Sequence, residues 1–288
     1  MQRSTLAWFR APPPDETDSH DDTAALIDAL RSTHDIDVVT ASEAHDFVWR
    51  HSRGRYNACV YELGDDAAGQ FMWPYLVHYP GVLILRTLAP GASRAILASR
   101  VVVVSSASAA QTLAYLYPGA RVRFAPEGIR DSQCSTLDDI VVDVRWPSTS
   151  TSRALAGLAA GKAVVVFETG ATADWPALNP QTWRPRGFAD AAPIAVSIDP
   201  RDEQHSLMLA MRRLRRDKAL REALGAAARA WWASHATVEH AVAAWTPILQ
   251  EAVTLPAPAV PAKDGTEHAR DILAQFGVTV DFLQPSQS

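Results

Sequence analysis

The sequence predicts an α/β fold in which parallel sheets carry helices on both faces, and three observations indicate it. Short apolar runs alternate with helical patterns along most of the 288-residue chain. Some runs, such as Val101–Val104, are apolar at every position, which is typical of strands buried on both sides. Between the runs, apolar residues such as Leu26, Ile27 and Leu30 fall on one helical face.

The order of these elements predicts two sheets. Before Gly128 we expect six strands, in the runs TLAWF, IDVVT, NACVYEL, VLILR, VVVV and VRFA. After it we expect three more, in IVVDV, AVVVF and IAVSI, with a Pro/Trp-rich loop before the last and three helices behind it. We therefore predict an N-terminal domain over 1–128, a shortened C-terminal domain over 129–255, and a Pro/Ala linker with a small tail over 256–288.

Charge and composition argue against several classes of protein. A net charge of −5 argues against a nucleic-acid partner. No apolar run approaches the ~20 residues of a membrane span, and the first residues do not read as a signal peptide. Of the two cysteines, Cys59 lies in an apolar run and is expected to be a buried thiol. We expect a cytoplasmic protein, whose basic run Arg212–Arg216 is a solvated helix face or a peripheral contact with an anionic membrane.

The most informative stretch is RWPSTSTSRALAGLAAGK, which begins at Arg145 and follows a predicted strand. Ligands of parallel sheets bind beyond the carboxyl ends of the strands. The helix that begins there presents free N–H groups and a partial positive charge, and its hydroxyls and Arg145 add donors. The stretch is therefore either an anion site or an ordinary helix cap with solvated hydroxyls.

The order of motifs along the chain resembles bacterial family 4 glycosyltransferases of the GT-B fold. The segments that carry the resemblance are AWFRAPPP, YNACVYELGDD, PGVLILRT, PGARVRFAPEGI and GKAVVVFETG. Together with the terminal helices they cover roughly residues 5–252. The resemblance implies a GT-B-like architecture of two Rossmann-like parallel-sheet domains facing across a cleft, with the second truncated.

The resemblance also implies a reaction, the metal-independent transfer of a sugar from a nucleotide-sugar to an unknown acceptor such as a glycan. No cofactor and no metal ligand are implied, and a partner transferase is a further expectation. The donor would lie against Arg145, Ser148, Thr149, Ser150, Thr151, Ser152, Glu168, Gly170 and Asp174. On the acceptor side the implied residues are Gly64 and Arg86, with Asp65 as the candidate base.

Departures from the family pattern keep a second interpretation open. No acidic residue lies between Arg145 and Glu168, so the Glu of the family's helix start is missing. Arg86 and Thr87 stand where the family has a His-Asp pair, and neither acts as a base at neutral pH. The link between Gly128 and Asp139 has ten residues, where the family carries several βα units. The alternative is a non-catalytic GT-B-like binding or partner protein.

Overall fold

The computed structural model describes residues 3–11, 22–63, 69–86, 92–131, 138–144, 151–169, 171–186 and 191–258. Met1–Ala257 forms one compact unit and Pro258–Ser288 forms another. The described part of the first unit contains two sheets with helices on both faces of each. The predicted α/β class is therefore confirmed.

The first sheet has six parallel strands in the order β2-β1-β3-β4-β5-β6. The strands are Ser4–Phe9 (β1), His34–Val39 (β2), Ala58–Leu63 (β3), Val82–Leu85 (β4), Val101–Val104 (β5) and Val122–Phe124 (β6). The connecting helices are Asp22–Leu30 (α1), Ala44–Ser52 (α2), Met72–His78 (α3), Ala92–Ala98 (α4) and Ala107–Leu116 (α5). All six predicted strands of this half are present, and the sheet is Rossmann-like.

Alternating side chains of these strands fill two separate cores. The side chains of Phe9, Tyr61 and Leu83 point to the face covered by α2, α3, α4 and α5. Cys59 also lies on that face at 3% exposure, and burial raises the pKa of its thiol to about 12. The prediction that Cys59 is a buried thiol is therefore confirmed.

The opposite face of the first sheet is covered by α1 and by the last helix of the described chain, Val238–Thr254 (α9). Trp8 of β1 packs on Trp245 of α9 with ring centroids 5.5 Å apart. The Trp8 indole N–H donates to Glu62 at 2.6 Å. The sequence-based boundaries assigned α9 to the second domain, whereas its apolar side chains pack on the first sheet.

The second sheet has five strands in the order β10-β9-β11-β8-β7. Its elements are Ile140–Asp143 (β7), Ser152–Ala159 (α6), Ala163–Phe167 (β8), Ala177–Leu178 (β9), Pro185–Arg186 (β10), Ala195–Ile198 (β11), Glu203–Arg216 (α7) and Lys218–His235 (α8). The three predicted strands β7, β8 and β11 are parallel neighbours, with α6 and α8 on one face and α7 on the other.

The second sheet is mixed, because the Pro/Trp-rich loop adds a small hairpin beside its three parallel strands. Its strands β9 and β10 have two residues each and pair antiparallel. Asn179 closes the hairpin, since its backbone N–H donates to Arg184 at 3.0 Å and its carbonyl accepts from Trp183 at 2.7 Å. None of the helices in the described ranges is long and apolar enough to cross a membrane.

Two glycines allow α6 and α8 to approach closely. Gly161 ends α6 in the left-handed region, with a φ of 66°. A Cβ on Gly225 of α8 would lie 2.0 Å from the carbonyl oxygen of Gly161. Because that atom belongs to the backbone, it cannot move aside as a flexible side chain would. The packing of α8 on the second sheet therefore requires glycine at 225.

We expect Gly225→Ala to destabilise the protein by about 1–3 kcal/mol through overpacking. Helix propensity alone would favour alanine by about 1 kcal/mol, so packing and propensity predict opposite signs. Urea unfolding measures the change. Gly119→Ala is the matched control, because a Cβ there would have nothing within 4 Å, and its effect should be close to zero. An alanine at 225 that stabilises the fold would contradict the close approach.

Candidate functional site

The start of α6 lies at the carboxyl end of β7, as the sequence predicted. Thr151 is its N-cap residue, and Thr151 and Ser152 are 5% and 4% exposed. These two hydroxyl residues are therefore buried rather than solvated. The remaining implied residues lie outside the described residues, namely Gly64, Asp65, Arg145, Ser148, Thr149, Ser150 and Gly170.

A carboxylate of the chain itself occupies the start of α6. Glu127 follows β6, the last strand of the first sheet, and its Oε2 accepts the backbone N–H of Thr151 at 3.3 Å. The hydroxyl of Thr151 donates to the same oxygen. An anion at a helix N-terminus is stabilised by the helix dipole and by the N–H groups that have no partner within the helix. Glu127 thus supplies from within the chain the negative charge that this position favours.

The same carboxylate is paired with Arg86, the implied acceptor-side residue. Arg86 Nη1 lies 3.2 Å from Glu127 Oε1, and the two side chains are 16% and 13% exposed. Arg86 Nη2 donates to the hydroxyl of Thr23 in α1 at 2.7 Å. A continuous chain of polar contacts therefore runs from α1 through Arg86 and Glu127 to Thr151, and we call these four residues the Glu127 cluster.

A second carboxylate caps α6 from its own sheet. Asp143, the last residue of β7, accepts the backbone N–H of Ala154 at 3.2 Å. Two N–H groups of the first turn of α6 are thus bonded to Asp143 and Glu127. Both contacts use the geometry that a bound phosphate would use, which is an oxygen anion facing the free N–H groups of a helix start.

Asp174, another implied donor residue, makes the reciprocal contact. It lies in the turn that follows β8, and its Oδ2 accepts the backbone N–H of Ser108 in the first turn of α5 at 3.1 Å. Ser106 caps the same helix by accepting the N–H of Ala109 at 3.1 Å. One carboxylate from each sheet therefore caps a helix that belongs to the other, and these two contacts join the facing ends of the sheets.

Little space remains beside the Glu127 cluster. A cavity of about 40 Å³ lies between Thr23, Arg86, Glu127 and Trp245. This volume is the space open to the centre of a water molecule, and one water needs about 10–15 Å³ of it. The cavity therefore has room for a few waters at most. It does not have the several hundred Å³ of a ligand pocket.

Glu168 lies apart from the cluster, in a larger groove at the carboxyl ends of β8 and β11. The groove has a volume of about 900 Å³. Glu168 forms an ion pair there with Arg186 of β10. Arg201 bonds to Asp199, and this hydrogen bond lowers the pKa of Asp199 to about 2. The polar lining is completed by Thr169, Asn179, Gln181, Ser197, Glu203 and Ser206. The groove combines both signs of charge with amide and hydroxyl groups, as sites for polar organic ligands do.

The sequence did not single out Glu127, Thr23 or Asp143. A signal for Glu127 is nonetheless present, since it is the acidic residue of FAPEGI, directly after the last strand of the first sheet. Within the described ranges, no group of three or more His, Cys, Asp or Glu side chains could hold a metal ion.

We expect Glu127→Gln to reduce the free energy of unfolding by about 1–3 kcal/mol, because it removes a largely buried charge that accepts from Arg86 and Thr151. Denaturant unfolding measures the loss. Glu251→Gln is the matched control, since its carboxylate pairs with Arg123 at 2.6 Å on a more exposed surface, and an exposed pair contributes less than about 1 kcal/mol. Equal effects of the two substitutions would mean that the Glu127 cluster does not couple the sheets.

Comparisons with known proteins do not assign this chain to a family. No protein-family model matches the chain, and no curated protein sequence matches it. The resemblance to family 4 glycosyltransferases thus rests on the order of the motifs, and the donor and acceptor assignments stay predictions. The structure establishes a two-sheet α/β protein in which carboxylates of the chain cap the helix starts at the facing ends of its sheets.

Proposed function

We propose that this chain is a GT-B-type relative of the glycosyltransferases that binds a ligand or a protein partner and does not transfer a sugar. The observation that carries the proposal is the contact of Glu127 with the start of α6. In the resembling family that helix start would hold the diphosphate of the donor. Here the position is taken by a side chain of the protein.

Electrostatics supports the absence of donor binding at this helix. Two like charges 4 Å apart repel by about 4 kcal/mol at an effective dielectric constant of about 20. A diphosphate placed against α6 would meet this repulsion from Glu127, and Asp143 lies on the same helix turn. It would also have to displace the hydrogen bonds that Thr151 makes with Glu127. Arg86 cannot offset this fully, because it already pairs with the same carboxylate.

The acceptor side supports the same proposal. Arg86 stands where the resembling family has a His-Asp pair, and its guanidinium stays protonated, so it cannot take a proton from an acceptor hydroxyl. Its contacts with Thr23 and Glu127 give it a positioning role instead. The reciprocal contacts of Glu127 and Asp174 would hold the facing ends of the sheets together, which suits a binding protein better than an enzyme that must open for a donor.

The test is incubation with a panel of uridine, guanosine, adenosine and thymidine diphosphate sugars. We expect no release of nucleoside diphosphate above the rate in buffer, because Glu127 would repel a diphosphate at the start of α6 and Arg86 cannot act as a base. Melting measured in parallel detects binding without turnover, since a ligand at a hundred times its dissociation constant stabilises by about 2.7 kcal/mol. Release of a nucleoside diphosphate by the wild-type protein, lost in a heat-denatured sample, would refute the non-catalytic proposal.

A second candidate is the metal-independent glycosyltransferase itself, and the groove at the carboxyl ends of β8 and β11 favours it. Its volume of about 900 Å³ is in the range that holds drug-sized and cofactor-sized ligands. Arg186 and Arg201, which pair with Glu168 and Asp199, would turn their guanidinium groups to a phosphate, and Glu168 would then offer its carboxylate to sugar hydroxyls. In this version the donor would bind beside β8 and not at the start of α6.

For this candidate we expect Arg186→Ala to weaken donor binding about tenfold or more, as loss of a bidentate phosphate contact does. The charge-matched control is Arg121→Ala. Arg121 is exposed and lies just before β6 of the first sheet, so its loss should leave binding unchanged. Calorimetric titration with the donor that shifts melting most gives both affinities. Equal affinity of the two variants would remove the groove from consideration as a donor site.

A further inference from the structure

Trp183 has a backbone conformation that a bulky residue rarely adopts. Its φ is 56°, and no other described non-glycine residue has a positive φ. The turn of the β9–β10 hairpin imposes this conformation, because the side-chain oxygen of Asn179 accepts the N–H groups of Gln181 and Thr182 at 2.8 and 3.3 Å. Such conformations persist where the surroundings require them, and they occur often at ligand sites. Here the requirement places the indole ring against α7.

One face of α7 meets that ring with a stripe of one leucine and three arginines. Leu209, Arg212, Arg213 and Arg216 have the spacing i, i+3, i+4 and i+7, so they lie along a single stripe of the helix. The guanidinium carbon of Arg213 lies 4.4 Å from the centroid of the Trp183 ring. This cation–π contact holds the Arg213 side chain against the indole ring.

The stripe, the indole and Lys218 line a groove of about 560 Å³, which we call the α7 groove. Arg212 and Arg216 are exposed within it. Asp217 also lines the groove, where it caps α8 at Leu220 with a distance of 2.9 Å and lies 3.8 Å from Arg213. Glu222 pairs with Lys218 at 3.5 Å. The four cationic side chains of the groove outnumber these two carboxylates. The groove is thus a local concentration of positive charge on a chain with a net charge of −5.

We propose that the α7 groove binds a small soluble ligand that carries a diphosphate or a phosphate group. Guanidinium groups bind phosphate oxygens through two parallel hydrogen bonds, and Arg212 and Arg216 lie one helical turn apart on the same side of the groove. The volume suits a small organic phosphate. This site is lined by residues other than the Glu127 cluster and the groove beside β8, and it does not depend on the proposed function.

The packing of α7 favours a soluble phosphate over a membrane surface. A helix that lies on a membrane presents a broad apolar face to the lipid. In α7 the residues Ala210 and Leu214 are 0% exposed and face the core of the second sheet. Met208 is the large apolar side chain of this helix that is well exposed, at 56%. The exposed face therefore offers charge and almost no apolar surface for insertion.

The test is calorimetric titration of the full chain with inorganic pyrophosphate. We expect saturable binding at one site that weakens as salt is raised. Arg212→Gln with Arg216→Gln should reduce the affinity about tenfold or more. The matched control, Arg94→Gln with Arg215→Gln, removes the same charge from exposed positions outside the groove and should stay within about twofold of the wild type. Circular dichroism verifies that both double variants are folded.

Two results would overturn the proposal. One is the absence of pyrophosphate binding by the wild-type protein, and the other is an equal loss of affinity in the two double variants, which would show a general charge effect. A parallel arm uses vesicles of phosphatidylcholine with and without phosphatidylglycerol. Binding to the anionic vesicles without binding to pyrophosphate would replace the soluble ligand by a membrane surface.

Discussion

The structure depends most on one requirement, that the free N–H groups of a helix start buried between two layers must find acceptors. At α6 the acceptors are carboxylates, and one of them, Glu127, comes from the segment that leaves the first sheet. At α5 the acceptor Asp174 comes from the second sheet. Each sheet therefore supplies an acceptor for the first turn of a helix that belongs to the other sheet. Separating the sheets would leave N–H groups in both helices without these acceptors. Arg86 balances the charge that this arrangement buries.

The same requirement bears on function. A helix start at the carboxyl edge of a parallel sheet is an anion site in general. Here a carboxylate of the chain, Glu127, bonds to that helix start and joins the two sheets. Two polar grooves lie elsewhere on the described part of the second sheet, one beside Glu168 and one along α7. Both grooves border the β9–β10 hairpin. This small irregular insertion, rather than the regular βα units, shapes the accessible surface of the second sheet.

Local patterns predicted much of this fold, and long-range contacts account for what they missed. Continuous valine runs identified β5 and β8, and the Ser/Thr run placed the start of α6 correctly, because these signals lie within a few residues. The role of Glu127 was not predictable, since its partner Thr151 is distant in sequence and no local pattern names it. The hairpin at Asn179 was missed because Trp183 takes a conformation that usually marks a glycine. The amphipathic pattern of α9 indicated a buried face without indicating which sheet it covers.

The position of α9 also determines when one face of the first sheet can be covered during folding. The face of the first sheet that carries Trp8 is completed by α9, whose Trp245 is far from Trp8 in the sequence. During synthesis the strands of this face and α1 emerge early, but the part of the face that α9 covers stays exposed until residues 238–254 have been made. Bringing α9 back to β1 closes a long loop, and the chain loses conformational entropy before the contacts between them form. A nascent chain of this protein therefore exposes the indole of Trp8 and nearby aliphatic side chains until α9 has been made, and surface of this kind promotes aggregation unless a chaperone covers it.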